Sequence, residues 1–257
     1  AVPTMLPFLL GAVLKEGISF PHLKYILTGG GKLDPTLEGR IRKDMGVICF
    51  EGYGLTECSP VVSCNPSEKK RKLGTVGPPL PGYEIQIRGL EGEILPGSEE
   101  GVLWVKGPSV TSGYFRAPEL TAERFHDGWL DTGDIVKIDE DGFISILDRA
   151  TDLIIVGGFN VYPQEVETVL NAHPAVKMSA AIGISSSMSG EVVKAFVVPF
   201  EGTEVTQHDL VQYAKEHLAH YKVPRKIDIV DELPLSSVGK VLRRKLREDE
   251  KAAGGEN

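Results

Sequence analysis

The segment from Glu51 to Glu57 combines the side chains that phosphate and metal chemistry require. It offers glycines, an aromatic ring, the Thr56 hydroxyl and the Glu57 carboxylate at the end of a short apolar run. Phosphate oxygens need hydroxyl or amide donors, and Mg²⁺ prefers hard carboxylate oxygens. Thr56 and Glu57 are therefore candidates for these two roles.

A second segment, from Trp129 to Asp134, suits a ribose. One carboxylate can accept hydrogen bonds from both hydroxyls of a ribose diol, as in dinucleotide sites. An aspartate beside a glycine also commonly bonds turn amides, and the sequence alone leaves both interpretations open. We expect Asp134 to lie at a glycine turn that precedes a strand. Arg149 could donate to the same ribose, although a single arginine is more often a surface ion pair.

Two further segments could contact a ligand. The run Gly29 to Gly31 allows close backbone approach, although taken alone a tight turn explains it better. Lys240 follows the loop that starts at Pro234, and its ammonium could stabilise negative charge developing on a phosphoryl or carboxyl oxygen. For the basic residues from Arg243 to Arg247 we expect a solvated helix face.

The elements that must position these residues change in type along the chain. Apolar runs at 25–27 and 47–50 bracket a helix over 35–45 that begins at Asp34 and Pro35, which predicts an α/β layer. Short alternating runs between residues 73 and 148, separated by Gly, Pro and Asp turns, predict an antiparallel β unit. Beyond residue 148 the pattern predicts a small α+β module, with a capping box at Thr206 and Asp209.

Length and composition limit the alternatives. A chain of 257 residues suits about two domains at roughly 150 residues each. A net charge of −8 argues against a nucleic-acid partner, because such proteins usually carry a basic excess. The three cysteines show no metal or disulfide spacing, and no apolar run approaches the ~18 residues of a membrane span, so we expect a cytoplasmic location. Since residue 1 is Ala, we expect a piece of a longer protein.

The order of the motifs resembles that of the adenylate-forming superfamily of acyl-CoA synthetases, adenylation domains and luciferases. The resemblance lies in the strings EGYGLTECSP, GVLWVKGPSVTSGYF, GWLDTGDI, DRATDLIIVGGFNVYPQEVE and PLSSVGKVLRRKLR. Within that group, LIIVGGFNVYPQEVE, ECSPVVSCNP and GEVVKAFVV are most similar to bacterial long-chain fatty-acid CoA ligases. The resemblance implies a ligase of fatty acid metabolism that uses ATP, Mg²⁺ and CoA. In the implied reaction a fatty carboxylate would attack the α-phosphate of ATP to give acyl-AMP and pyrophosphate, and the CoA thiol would then displace AMP.

The resemblance also implies roles for nucleotide-binding residues. The adenine would be bracketed by residues that follow two strands, namely Gly30, Gly31, Glu51, Gly52 and Tyr53. Thr56 would bind the α-phosphate and Glu57 the Mg²⁺. Asp134 and Arg149 would hold the ribose, and Ile146 would lie against the base.

The remaining implied roles belong to a mobile C-terminal domain. Lys240 would contact the substrate carboxylate and phosphate during adenylation, and the domain would then rotate about a hinge at Thr151. Relatives typically carry Lys or Asp at that hinge, so the polar contacts that bias one conformation differ here. Gly157 and Gly158 would line the path of the CoA pantetheine.

The expected fold class is α/β and α+β. It comprises a truncated acyl-CoA synthetase large domain over 1–148, with an α/β layer plus a small β-barrel-like unit, followed by a small α+β C-terminal domain over 149–257. Residues 1–50 contain no counterpart of the Ser/Thr/Gly-rich loop that grips the β- and γ-phosphates. The resemblance therefore implies that the N-terminal half of the enzyme, with much of the acyl pocket, is a missing partner and that this chain alone has little activity.

Two other classes of function remain open at this stage. The chain could belong to another adenylating enzyme, either an aryl- or short-chain CoA ligase or an acyl-AMP ligase. It could also be a non-catalytic nucleotide-binding module or one half of a split enzyme. Fatty substrates suggest peripheral membrane contact, while acyl chain length and oligomeric state do not follow from the sequence.

Overall fold

The computed structural model describes residues 1–97, 99–186, 188–236 and 239–254. The chain divides into two units, Ala1–Ile146 and Leu147–Asn257. Each unit is described by itself below. The functional boundary at residue 148 stays a prediction.

The first unit begins with an α/β layer. Its elements in chain order are α1 (Leu6–Glu16), β1 (Tyr25–Thr28), α2 (Pro35–Met45), β2 (Ile48–Gly54) and β3 (Val61–Cys64). β2 lies in the centre of this sheet, parallel to β1 and antiparallel to β3. The predicted strand, helix and strand are confirmed, and the Asp34 side chain caps α2 by accepting the Thr36 N–H at 2.6 Å. The helix α1, whose Leu6 and Leu10 are buried one turn apart, is not among the predicted elements.

The rest of the first unit forms an antiparallel sheet, as predicted. Its elements are β4 (Glu84–Arg88), β5 (Ile94–Leu95), β6 (Gly101–Lys106), α3 (Pro118–Arg124), β7 (Phe125–His126), β8 (Trp129–Ile138) and β9 (Ile144–Arg149), which continues past the boundary at Ile146 into the second unit. The strand order is β5-β4-β6-β8-β7, and β9 pairs with β8. The register between β6 and β8 shifts, since Val102 pairs with Ile135 but Trp104 pairs with Asp131. This bulge places extra residues of β8 opposite β6.

The second unit is the predicted α+β module. Its elements are β10 (Ile154–Val156), β11 (Phe159–Val161), α4 (Pro163–Asn171), β12 (Val176–Ser186), β13 (Gly190–Pro199), α5 (Gln207–His217), β14 (Lys226–Ile229) and α6 (Arg243–Gly254). The sheet order is β11-β10-β13-β12, and β14 runs parallel to β13. Thr206 and Asp209 form the predicted capping box at the start of α5.

Alternate residues of the second unit's central strands serve two separate cores. On one face, Ala181 and Ala195 pack with residues of α4 and α5 such as Val166 and Leu210. On the other face, Ala180, Ile182 and Phe196 pack with Leu246 of α6. The sheet is therefore covered by helices on both sides, because successive side chains of a strand point to opposite faces. Among the residues described, no helix has the length and apolar character needed to cross a membrane.

Candidate active site

The predicted adenine-binding residues meet at one edge of the first sheet. The glycine turn follows β1, while Glu51, Gly52 and Tyr53 lie at the end of β2. Because the two strands are parallel, with Thr28 paired to Glu51, both ends reach the same edge. A Cβ on Gly29 would lie 3.0 Å from the Gly52 carbonyl oxygen, so the turn packs directly against the backbone of β2. Gly30 and Gly31 follow in this turn, with φ of +77° at Gly30.

The Glu51 side chain has a structural role at this edge. Its carboxylate is buried and accepts the Gly74 N–H at 3.1 Å. Burial raises the pKa of Glu51, partly offset by hydrogen bonds from the backbone of Gly74 and Leu33. Glu51 therefore holds neighbouring loops in place, and a direct contact between it and adenine stays a prediction.

Asp134 lies within β8, so its predicted place in a turn before the strand is wrong. The bulge between β6 and β8 accommodates Gly133 at φ +69°, and the Asp131 side chain accepts the Gly133 N–H at 2.8 Å. A left-handed residue inside a strand redirects the next side chain, here the buried Asp134 carboxylate. The Tyr53 hydroxyl donates to Asp134 Oδ2 at 2.5 Å. The candidate adenine and ribose residues of this unit are thus in direct contact.

The candidate phosphate and metal residues lie immediately after β2. Thr56 and Glu57 form a short 3₁₀ helix with Cys58, and the Thr56 side chain is exposed. The Tyr114 hydroxyl donates to Glu57 Oε1 at 2.8 Å. Burial and the Glu57 carboxylate both raise the pKa of Tyr114, so its hydroxyl remains a donor at neutral pH.

The arrangement around Glu57 suits a nucleotide-bound Mg²⁺ better than an independent metal site. Across the described ranges, no group of three or more His, Cys, Asp or Glu residues could hold a metal ion. Mg²⁺ usually binds one or two carboxylates together with substrate phosphates and water. A partly exposed Glu57 beside an exposed Thr56 hydroxyl fits that pattern.

The remaining first-unit candidate, Ile146, is part of the apolar core. Its side chain is half-buried and packs against the cluster that contains Leu103, Leu130 and Ile144. This position supports the sheet. Contact between Ile146 and a base stays a prediction.

The second unit carries the other candidates. Arg149 is exposed at the end of β9, and Thr151 is exposed in the 3₁₀ turn Ala150–Asp152. Gly157 and Gly158 form the two-residue turn between β10 and β11, with φ of +57° and +86°. Both glycines are exposed.

Lys240 is exposed at the end of a closed loop. Its N–H donates to Ser236 Oγ at 3.1 Å, and its carbonyl accepts the Ser236 N–H at 2.7 Å. Leu235 and Val241 form a β-bridge on either side of this loop. The backbone at Lys240 is therefore held in place while its side chain remains exposed.

The interpretation of residues 243–247 as a solvated basic face is wrong for Arg243 and Arg247. Arg243 donates through Nε and Nη2 to Glu167 at 3.0 and 2.6 Å, and its side chain is only 16% exposed. Arg247 pairs with Asp152 at 2.7 Å, and Arg243 Nη1 reaches the same carboxylate at 3.4 Å. These ion pairs fasten the start of α6 to α4 and to the residue that follows Thr151.

The sequence analysis assigned no role to Tyr114. The available signal was the string GYF inside a motif that already carried the family resemblance. Its partner Glu57 is 57 residues away, so only the folded chain shows the contact.

Comparisons with known proteins identify the family to which this chain is similar. The family model described as AMP-binding enzyme matches residues 1–115, and the model described as AMP-binding enzyme C-terminal domain matches residues 165–240. A long-chain-fatty-acid–CoA ligase from Yersinia pestis is 42% identical over 237 residues, covering 92% of this chain and 42% of that protein. A feruloyl-CoA synthase from Amycolatopsis is 36% identical, covering 96% of this chain and 50% of that protein.

Among solved structures, ATP-bound MatB from Rhodopseudomonas palustris is similar to this chain with a TM-score of 0.85 and 36% identity. The match covers 98% of this chain and 50% of that one. The chain therefore spans about half the length, or less, of the proteins that it resembles.

Proposed function

The chain belongs to the AMP-binding enzymes, and from that premise we propose that it supplies the nucleotide site and the mobile lysine of a long-chain fatty-acid CoA ligase. In the first step a fatty carboxylate oxygen bonds to the α-phosphorus of ATP, and pyrophosphate leaves. In the second step the CoA sulfur bonds to the acyl carbon, and AMP leaves. The names of the relatives support the substrate class, and the site residues support adenylation.

The observation that carries this proposal is the hydrogen bond between Tyr53 and Asp134. It joins two motifs that are 81 residues apart at the edge where the glycine turn lies. A buried carboxylate held by a phenol is preorganised to accept ribose hydroxyls. The Gly30 and Gly31 backbone and the Tyr53 ring would border the adenine at the same edge.

Thr56 and Glu57 would act on the phosphates. The exposed Thr56 hydroxyl can donate to an α-phosphate oxygen, and Glu57 would hold Mg²⁺. When bound, Mg²⁺ would neutralise charge that develops on the phosphate oxygens. Thr56 would keep the α-phosphate oriented toward the attacking carboxylate.

The second unit would act in both steps. The exposed Lys240 ammonium would pair with the negative charge shared by the carboxylate and the α-phosphate, and Arg149 would donate to the ribose. Rotation about Thr151 would then exchange Lys240 for the Gly157 and Gly158 turn. Because these glycines have no side chains, they would leave room for the pantetheine of CoA.

The rest of the ligase would come from a further segment. The relatives are about twice as long as this chain, so we propose that an N-terminal half supplies the acyl tunnel and the loop for the β- and γ-phosphates. We place the reaction in the cytoplasm, consistent with cysteines that form no disulfide among the described residues. Peripheral membrane contact stays a prediction.

The test combines binding and reconstitution. Calorimetry should detect AMP binding to this chain, and ATP–pyrophosphate exchange with a fatty acid should require the chain together with the N-terminal half of the Yersinia relative. Full ligase turnover by the chain alone would contradict the two-part proposal. Absence of AMP binding would contradict the nucleotide site.

An aryl-CoA ligase is the second candidate. The similarity to a feruloyl-CoA synthase favours it, because that relative covers as much of the chain as the fatty-acid ligases do. A panel of acids, assayed for thioester formation with the natural full-length protein, separates the two. Preference for ferulate over palmitate would replace the fatty-acid proposal.

A further inference from the structure

The residues from Thr111 to Phe115 end a motif that the proposed function leaves without a role, and the segment that begins at Thr111 continues beyond this motif to Thr121. We propose that Tyr114 is a positioning residue that orients the Glu57 carboxylate toward Mg²⁺ bound to ATP. This inference rests on the proposed function, in which Glu57 holds that ion. The role of the segment would then be to support the Glu57 side chain.

The segment contacts Glu57 at two points. The Thr111 N–H donates to the Glu57 carbonyl at 2.7 Å, and the Tyr114 hydroxyl donates to Glu57 Oε1 at 2.8 Å. Within the described part of the chain, only Oε1 of this carboxylate takes part in a hydrogen bond. The other oxygen is therefore available to a ligand while the first is fixed.

Tyr114 is itself fixed by its neighbours. Its N–H donates to Thr121 Oγ1 at 2.9 Å, and the same hydroxyl donates to the Ala117 carbonyl at 2.9 Å. The Tyr114 ring meets the edge of the Phe125 ring at 5.6 Å between centroids. A Cβ on Gly113 would lie 2.5 Å from Thr121 Cγ2, so a glycine is required for this close approach.

A carboxylate on a flexible side chain loses rotamer entropy when it binds a metal. A phenol that already holds one oxygen removes part of that cost, and partners of this kind typically change metal affinity by about 10- to 100-fold when mutated. Tyr114 therefore affects the Mg²⁺ dependence of ATP binding. It leaves contacts to adenine and ribose unchanged.

The experiment titrates Mg²⁺ against the full chain at fixed ATP and measures binding by calorimetry. Tyr114→Phe should raise the Mg²⁺ concentration at half-saturation about 10-fold. The matched control is Tyr83→Phe, which removes a hydroxyl bonded to the Cys58 carbonyl at 2.9 Å and Ser109 at 2.6 Å without touching Glu57. The control should titrate like the wild type. AMP affinity in the presence of a chelator should be equal in all three proteins.

Two further variants separate the outcomes. Glu57→Gln should abolish the Mg²⁺ dependence, and Thr121→Val, which keeps the Tyr114 hydroxyl, should raise the half-saturation less than Tyr114→Phe does. Suppose that Glu57→Gln removes the Mg²⁺ dependence of ATP binding but Tyr114→Phe has the same Mg²⁺ half-saturation as the wild type. The positioning role of Tyr114 is then wrong, and the proposed function stands. If wild-type binding of ATP does not depend on Mg²⁺, the metal role of Glu57 fails and the inference fails with it.

Discussion

The Tyr53 hydroxyl and the buried Asp134 carboxylate are joined by a hydrogen bond of 2.5 Å. Tyr53 lies near the end of β2, and Asp134 follows the bulge of β8, so the contact joins the two sheets of the first unit. A charge-assisted bond of this kind restricts both side chains. The carboxylate that we propose for the ribose is therefore already held in place by Tyr53.

Asp134→Asn should weaken AMP binding about 10- to 100-fold, since a hydrogen bond to a charged group contributes about 1.5–3 kcal/mol. The loss should be much smaller for dideoxy-AMP, which lacks the ribose diol. Calorimetry with both nucleotides measures this difference. Asp141→Asn is the matched control, because Asp141 is an exposed carboxylate that pairs with Lys72. An equal loss for both nucleotides would show that Asp134 does not bind the ribose.

Tyr53→Phe should also weaken AMP binding, because it removes the donor that orients Asp134. The double variant with Asp134→Asn should lose less than the two single losses together, by about 0.5–3 kcal/mol, as expected for residues in contact. A double-mutant cycle on AMP affinity measures this coupling. Strict additivity would mean that the two residues act independently on the ligand.

Stability of the first unit should fall as pH rises through the raised pKa of Glu51. Between the ordinary and the raised pKa, the Glu51 carboxyl is protonated in the folded state and ionised in the unfolded state. The free energy of unfolding therefore decreases as pH rises in this range. Glu51→Gln keeps an acceptor for Gly74 but removes the titration, so its stability should not fall in this window. Both tryptophans, Trp104 and Trp129, lie in this unit, so urea unfolding followed by their fluorescence measures it.

Asp139 provides a control of opposite sign for the pH experiment. Hydrogen bonds from Lys72 and from the Phe143 backbone lower the pKa of Asp139. The stabilisation that ionised Asp139 provides is therefore lost as pH falls through that lowered pKa. The Asp139→Asn variant cannot titrate at this position, so its free energy of unfolding should not show this decrease at acid pH. A positive slope from Glu51, or no slope from it, would contradict the burial argument.

Arg243→Gln should destabilise the second unit by about 3–5 kcal/mol, because it leaves the buried Glu167 carboxylate without its cation. Hydrogen exchange of the β12 and β13 amides measures this unit separately. Arg244→Gln is the control, since the exposed Arg244 pairs only with the exposed Glu248 among described residues, and such pairs contribute about 0–1 kcal/mol. Equal effects of the two substitutions would show that Arg243 is not structurally important.

Local signals in the sequence predicted much of the fold. Asp34 and Pro35 mark the start of α2, and Thr206 with Asp209 marks the start of α5, because helix caps depend on neighbouring residues. The short alternating runs also predicted the antiparallel sheet of the first unit, but not the order of its strands. The helix α1 was missed because its apolar residues form a nearly continuous run with Pro7 near the start.

The features that sequence analysis missed depend on distant partners. The place of Asp134 in a strand follows from the pairing of β8 with β6, which a string of turn-forming residues does not show. Arg243 meets Glu167 across 76 residues, so a run of basic residues looked solvated. The sequence identified the candidate residues of the site, but their supporting contacts required the fold.

The ion pairs of Asp152 link two distant parts of the second unit. Asp152 directly follows Thr151, and its partners Arg243 and Arg247 begin the helix that directly follows the Lys240 loop. These ion pairs connect the residue after the proposed hinge, Thr151, to the start of α6, although 89 positions separate Thr151 from Lys240 in the sequence. If Thr151 is the hinge that we propose, a change in its backbone should move the start of α6 together with Asp152, and so displace the nearby Lys240 as well.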